Sequence, residues 1–213
     1  MPYTYLRDPE EIYRRSFVLI RAATDLSRLP AELRAVAVRL VHAVADPDIV
    51  ADLVASEGAV AAGRAALASG APILVDAAMV AHGITRIRLP AGNPIICTLD
   101  DAAVAGQATT LGTTRSAAAV ELWRPQLGGA VAAIGNAPTA LFHLLEMLEA
   151  GAPRPALILG FPVGFVGAAE AKAALAKSPL AIPFIALRGR RGGSALAAAA
   201  VNALAGPADE ELA

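Results

Sequence analysis

Two hydrophobic rhythms divide the chain. Up to about residue 70 the apolar positions recur every three to four residues, as in helices with one buried face, whereas beyond it they gather into runs of three or four bounded by Gly, Pro or polar residues, as in strands buried on both faces. Asp8-Pro9 with Glu10-Glu11 supplies an N-cap, a proline at the first helical position and an acidic first turn, and predicts a helix to about Leu26. Pro30 opens a second helix, in which Leu33, Val36, Ala37, Leu40, Val41 and Val44 hold helical spacing to Ala45 while Glu32, Arg39, His42 and Asp46 fall near one polar stripe. A third is predicted over 60–69, closed by Gly70. Strands are predicted at 73–75, 95–98, 131–134, 156–159 and 184–187, with helical stretches at 115–123, 140–148, 168–176 and 194–204.

Strand and helix alternating through short connections imply right-handed crossovers and a doubly wound parallel α/β sheet of about five strands behind the N-terminal helices. Ligands of such sheets bind at the carboxyl ends of the strands. Three glycine-rich turns fall on that edge, each opening a helix: Gly135-Asn136-Ala137-Pro138-Thr139, Gly160-Phe161-Pro162-Val163-Gly164-Phe165-Val166-Gly167, and Gly189-Arg190-Arg191-Gly192-Gly193-Ser194. The first amides of a helix have no intrahelical partner and sit at the positive end of its dipole, so each turn is a candidate cradle for a phosphate or carboxylate. Tight turns after strands are also ordinary furniture of α/β folds. Of the three, the arginine-bearing third turn points to function unaided.

Nucleotide signatures do not claim these turns. None has the G-x-G-x-x-G spacing after the first strand, and Lys172 lies too far beyond Gly167 for a P-loop; a G-x-S-x-G nucleophile elbow is missing too. The 213 residues fit one domain, 1–213, with 205–213 read as a flexible acidic tail. Alanine abundance with only 4% aromatic residues predicts a core of closely packed small side chains. A net charge of −1 offers no general field for nucleic acid or an anionic membrane, so any anion site is local. Charges, Pro and Gly interrupt the apolar segments well short of a membrane span, and the N-terminus has no apolar signal core. The lone Cys97 fits a reducing cytoplasm, and with three dispersed histidines it predicts no protein-bound metal. The expectation is a soluble, cytoplasmic protein.

Among the titratable groups, His143 sits within an apolar helix and reads as a packing residue, whereas His82, after the first strand and its turn, suits packing and the site equally. His42 shares a helix face with Arg39 and Asp46, at spacings that let side chains meet. That pattern suits a solvated face, or a proton donor beside an anion-binding arginine with Asp46 orienting the ring.

Six segments carry a resemblance. Arg39-Leu40-Val41-His42-Ala43, Asp76-Ala77-Ala78-Met79-Val80-Ala81-His82-Gly83-Ile84, Thr114-Arg115-Ser116-Ala117-Ala118, Ala133-Ile134-Gly135-Asn136-Ala137-Pro138-Thr139-Ala140-Leu141, Pro162-Val163-Gly164-Phe165-Val166-Gly167-Ala168-Ala169-Glu170-Ala171-Lys172 and Arg188-Gly189-Arg190-Arg191-Gly192-Gly193-Ser194 follow in order over nearly the whole chain. Together they resemble the precorrin-8X methylmutase (precorrin isomerase) family of cobalamin biosynthesis. The resemblance implies a flavodoxin-like three-layer α/β/α fold and a homodimer with active sites near the subunit interface. It implies migration of a methyl group from C-11 to C-12 of precorrin-8X to give hydrogenobyrinate, with no cofactor because the ring rearranges within its own conjugated system. It also admits transient contact with neighbouring cobalamin-pathway enzymes.

By the same resemblance His42 is the proton donor and acceptor, and Ser16 of the early Ser-Phe pair and Arg39 of the R-x-V-H motif contact substrate. Thr85, Arg115, the Gly135-Asn136-Ala137 turn and Arg188, Gly189, Arg190, Gly192, Gly193 and Ser194 complete the expected binding set, whose arginines, Arg191 included, suit a carboxylate-fringed ring. The family motif commonly continues His-Ala-Thr-Gly or His-Ala-Cys-Gly, whereas this chain reads His42-Ala43-Val44-Ala45. Leu89-Pro90-Ala91-Gly92-Asn93 resembles the motifs of the aerobic-type members, and that resemblance leans towards the metal-free substrate over cobalt-precorrin-8. A tetrapyrrole carrier that has kept the pocket without the reaction is the other class of reading.

Overall fold

A computed structural model describes residues 3–207. The residues after 207, which make up most of the expected tail, lie outside that range, and Ala205 ends the last helix. The chain opens with α1 (Pro9–Ala23), α2 (Ala31–Val44) and a 3-10 helix (Pro47–Asp52) leading into β1 (Leu53–Ala55). It continues through α3 (Ala59–Ala68), β2 (Ile73–Val75), α4 (Ala78–Gly83), β3 (Ile95–Cys97), α5 (Val104–Leu111), α6 (Arg115–Glu121) and β4 (Val131–Ile134). The last units are α7 (Pro138–Glu149), β5 (Leu157–Gly160), α8 (Ala168–Lys177), β6 (Phe184–Leu187) and α9 (Ser194–Ala205).

The strands form one sheet in the order β1-β6-β5-β4-β2-β3. The five parallel members run in the flavodoxin-type order, with the reversal of direction between β2 and β4. The sixth strand corrects the expectation of about five. β1 pairs antiparallel with β6, Leu53 opposite Leu187 and Ala55 opposite Ile185, and at three residues in a half-buried edge position it leaves no continuous apolar run to read. Helices α4 and α5 are likewise short additions to the expected set, and α1 stops at Ala23, before Leu26.

Alternation along the strands assigns the two faces. Ile73, Val75, Val131, Ala133, Leu157, Leu159, Ile185 and Leu187 face α2, α3, α4 and α9, while Leu74, Ala132, Ile134, Ile158 and Ala186 face α6, α7 and α8. Both sides are apolar because both are covered, which is why these strands read as unbroken hydrophobic runs. α9 is buried almost all round; its alanines let α2 and α4 approach closely, and α1 covers α2 from outside.

One departure from the family motif acquires a structural meaning here. Ala45 caps α2 in the left-handed conformation (φ 53°), and it stands where the family commonly has glycine. A Cβ there costs about 1–2 kcal/mol, partly offset by the greater freedom glycine gives the unfolded chain. Ala45→Gly is therefore expected to stabilise the protein by about 0.5–1 kcal/mol, read as a rise in the urea midpoint with an unchanged slope.

Candidate active site

The three glycine turns form one continuous rim along the carboxyl edge. A Cβ on Gly135 would lie 2.8 Å from the Ser194 backbone and from Ala197, so the first turn fits against the start of α9 only without a side chain. At Gly192 a side chain would run into the carbonyl oxygens of Phe161 and Pro162, and the Gly193 N–H donates to the Phe161 carbonyl at 2.8 Å. The Gly164 N–H donates to Arg190, which ties the second and third turns together again.

The amides of the first turn are not open to a ligand, a correction to the cradle expected there. Asp76, directly after β2, projects its carboxylate across the switch point and accepts hydrogen bonds from Gly135 (2.8 Å), Asn136 (2.9 Å) and Ala137 (2.7 Å). Its side chain fills the place a bound anion takes in related architectures. Asp76 is 3% exposed, and burial pushes its pKa up while the three amides pull it down. A charge straight after an apolar strand was the available signal for this role. Arg115 flanks the same turn at the start of α6, held by the Leu99 carbonyl (3.2 Å) and Asp100 (3.5 Å), while Thr114 shares a hydrogen bond with Thr139 at the start of α7.

On the third turn, Arg190 lies over the exposed Phe165 ring at 5.3 Å. Arg191 turns towards the N-terminal half of the chain and donates to Asp46 at 2.9 Å, with Asp52 3.6 Å from its other nitrogen. Gly193 (φ 129°) delivers the chain into α9 at Ser194.

His42, Ser16 and Arg39 come together on the α1/α2 pair. Nδ1 of His42 is hydrogen-bonded to the Ser16 hydroxyl at 3.1 Å, and the imidazole stacks on Phe17 with centroids 4.9 Å apart. Arg39 is buried, its guanidinium 5.0 Å from the Phe17 ring centre, and it donates to the Tyr13 hydroxyl at 2.6 Å. Arg88, just beyond Thr85, reaches the same hydroxyl at 3.3 Å, and the Thr85 N–H is held by Asn202 of α9 at 2.8 Å. Ser16 thus orients the ring, the part expected of Asp46. The left-handed turn at Ala45 takes Asp46 off the helical stripe, where it caps the following 3-10 helix and binds Arg191. The sequence leaves Tyr13 unmarked and marks Phe17 only as the neighbour of Ser16, because nothing local signals an aromatic pair that will pack beneath a histidine on another helix.

Burial first, and then the positive charge of Arg39, push the His42 pKa below the usual histidine value. His82 turns back on its own helix, Nδ1 2.7 Å from the Ala78 carbonyl, and His143 pairs with Glu121 at 2.8 Å. Among the described residues no cluster of His, Cys, Asp and Glu could hold a metal ion, and no helix is long and apolar enough to cross a membrane.

Fold and site define a doubly wound α/β protein whose carboxyl edge presents arginines beside a histidine fixed on a covering helix. The description "Precorrin-8X methylmutase" belongs to the family model that matches residues 11–206, and the chain belongs to that family of cobalamin-biosynthesis isomerases. It is 64% identical over 201 residues to a precorrin-8X methylmutase of Pseudomonas aeruginosa, covering 94% of this chain and 97% of the relative. A Sinorhizobium protein of the same name is 58% identical over 96% and 98% of the two chains. A cobalt-precorrin-8 methylmutase of Priestia megaterium stands further off, at 36% over 94% and 89%. Among solved structures, the precorrin-8X methylmutase of Thermus thermophilus matches with a TM-score of 0.81 at 40% identity, covering 91% of this chain and 95% of the other.

Proposed function

We propose that this chain moves a methyl group from C-11 to C-12 of precorrin-8X, giving hydrogenobyrinate, with His42 as the proton donor and acceptor. The observation that carries the assignment is the setting of His42: one ring nitrogen engaged by Ser16, one face on Phe17, and Arg39 beneath. With Nδ1–H donating to the Ser16 hydroxyl, as it must in the imidazolium, Nε2 is the nitrogen that gives up and takes back the proton. Protonating the macrocycle draws electron density towards the site of migration and lowers the barrier to the shift. Arg115, Arg188 and Arg190 meet the carboxylate fringe, while the first turn supports the site through its backbone shape, its amides being held by Asp76.

The metal-free substrate is favoured because two relatives named for precorrin-8X are 64% and 58% identical, whereas relatives named for cobalt-precorrin-8 stand at 39% and 36%. Incubation with each substrate while following the visible spectrum tests both points. Conversion of precorrin-8X faster than of its cobalt form is expected; binding without conversion would establish a carrier instead. A cytoplasmic homodimer completes the proposal, with a second copy covering Phe165 and Val166, which stand 85% and 89% exposed beside the third turn.

A pH dependence follows from the histidine. Burial, and after it the charge of Arg39, disfavour the imidazolium in the free protein, so the acid form accumulates only below the usual histidine range. Rates of precorrin-8X conversion (kcat/KM) are expected to rise as pH falls from 8 towards that lowered pKa and then level off. Since a substrate carboxylate on Arg39 neutralises one cause of the shift, the corresponding limb in kcat lies at higher pH. A kcat/KM profile flat from pH 8 to 5 would remove His42 from the acid role.

A further inference from the structure

We propose that Lys172, on α8, is a positioning residue: from inside the protein its ammonium grips the turn at residues 188–194 and holds Arg188 and Arg190 towards the ligand. The proposal rests on the reading of that turn as part of the binding edge. Lys172 is 2% exposed, a burial lysines rarely adopt without a partner, and Nζ donates to the Arg191 carbonyl at 2.5 Å. Arg191 is thereby held at both ends, its carbonyl by Lys172 and its guanidinium by Asp46 and Asp52. At the next residue, Gly192, the Phe161 and Pro162 carbonyls stand where a side chain would lie, and the Gly193 N–H donates to the Phe161 carbonyl. With Arg191 committed inward, Arg188 and Arg190 remain as the turn's cations for a carboxylate.

Methionine at this position would match the length of the lysine stem and remove the grip. Burial draws the lysine pKa down to about 8, so on mild alkalinisation the grip loses its charge and weakens to a neutral amine–carbonyl hydrogen bond. Asp52 faces Lys172 from the 3-10 helix before β1, Arg188 and Arg191 from the turn, and Lys177 from its own helix. None of these is of a type that ordinarily titrates between pH 7 and 9.

Affinity for hydrogenobyrinate, titrated by visible absorbance between pH 7 and 9.5, tests the idea on the wild type and on Lys172→Met, Lys172→Arg and Arg190→Gln. Wild-type affinity is expected to weaken about fivefold with a midpoint near pH 8, the scale of the difference between a charge-assisted and a neutral hydrogen bond. Lys172→Met should bind about tenfold more weakly already at pH 7 and change no further, with KM rising more than kcat falls. Lys172→Arg keeps its charge and should restore affinity without the alkaline limb. A wild-type affinity flat to pH 9.5 overturns the proposal, and this measurement decides alone if the variants do not fold. Folded Lys172→Met with wild-type affinity overturns it as well. If Arg190→Gln binds product as the wild type does, the turn is not the binding edge and the underlying reading falls too. Weakening in Arg190→Gln with none in Lys172→Met removes Lys172 alone.

Discussion

In a His42→Ala protein, conversion of precorrin-8X is expected to fall by about 10²–10⁴-fold while hydrogenobyrinate still binds. The loss is that of a positioned acid, because the substitution takes away the exchanging nitrogen and leaves the arginine edge intact. Binding survives because Arg188, Arg190 and Arg115 lie on other elements, joined to the histidine's helix through Asp46 and Arg191. Some loosening of the α1/α2 contact accompanies it, since Phe17 loses its stacking partner and Ser16 its hydrogen bond. Single-turnover spectra with excess enzyme separate the effects: a slow rate at saturating protein locates the loss in chemistry. Conversion at the wild-type rate would take the proton role from His42.

Asp76→Ala is expected to cost the fold about 2–4 kcal/mol. The carboxylate is the acceptor for three successive amides, and the methyl group that replaces it leaves the buried Gly135 N–H donating to nothing and the part-buried Asn136 and Ala137 N–H groups dependent on water. The start of α7 and the contact of Gly135 with α9 depend on that turn's shape, so the damage spreads along the carboxyl edge. Asp76→Asn should recover part of the loss, because its amide oxygen still accepts while its NH₂ faces donors. Urea unfolding of the three proteins measures the series. An Asp76→Ala midpoint equal to the wild type would show that water satisfies the turn equally well.

The parallel strands and most helices were readable because burial on both sheet faces writes itself locally, as in Ile73-Leu74-Val75 and Phe184-Ile185-Ala186-Leu187. The N-terminus of α1 was readable for a similar reason: Asp8 accepts from Glu10 and Glu11 within three residues of itself. β1 escaped because three residues carry little pattern and its partner, β6, lies far away in the chain. Asp46 was misjudged because helical spacing says nothing about where a helix stops, and the stop at Ala45 is left-handed without a glycine to announce it.

The glycine turns show the same division. Their positions after strands, and the arginines of the third, are properties of the sequence, since the strand period and the need for a tight turn act over a few residues. By itself the sequence determined the α/β class and the resemblance to the methylmutases, and it supplied the carboxyl edge and His42 as the binding side and titratable centre that are proposed. Only the tertiary structure decided that Asp76 occupies the first turn, that Ser16 rather than Asp46 orients His42, and that Lys172 reaches Arg191 from within. Each of these contacts joins residues brought together by packing across the sheet or between helices. Their strength comes from burial, which no residue has until the rest of the chain has folded around it.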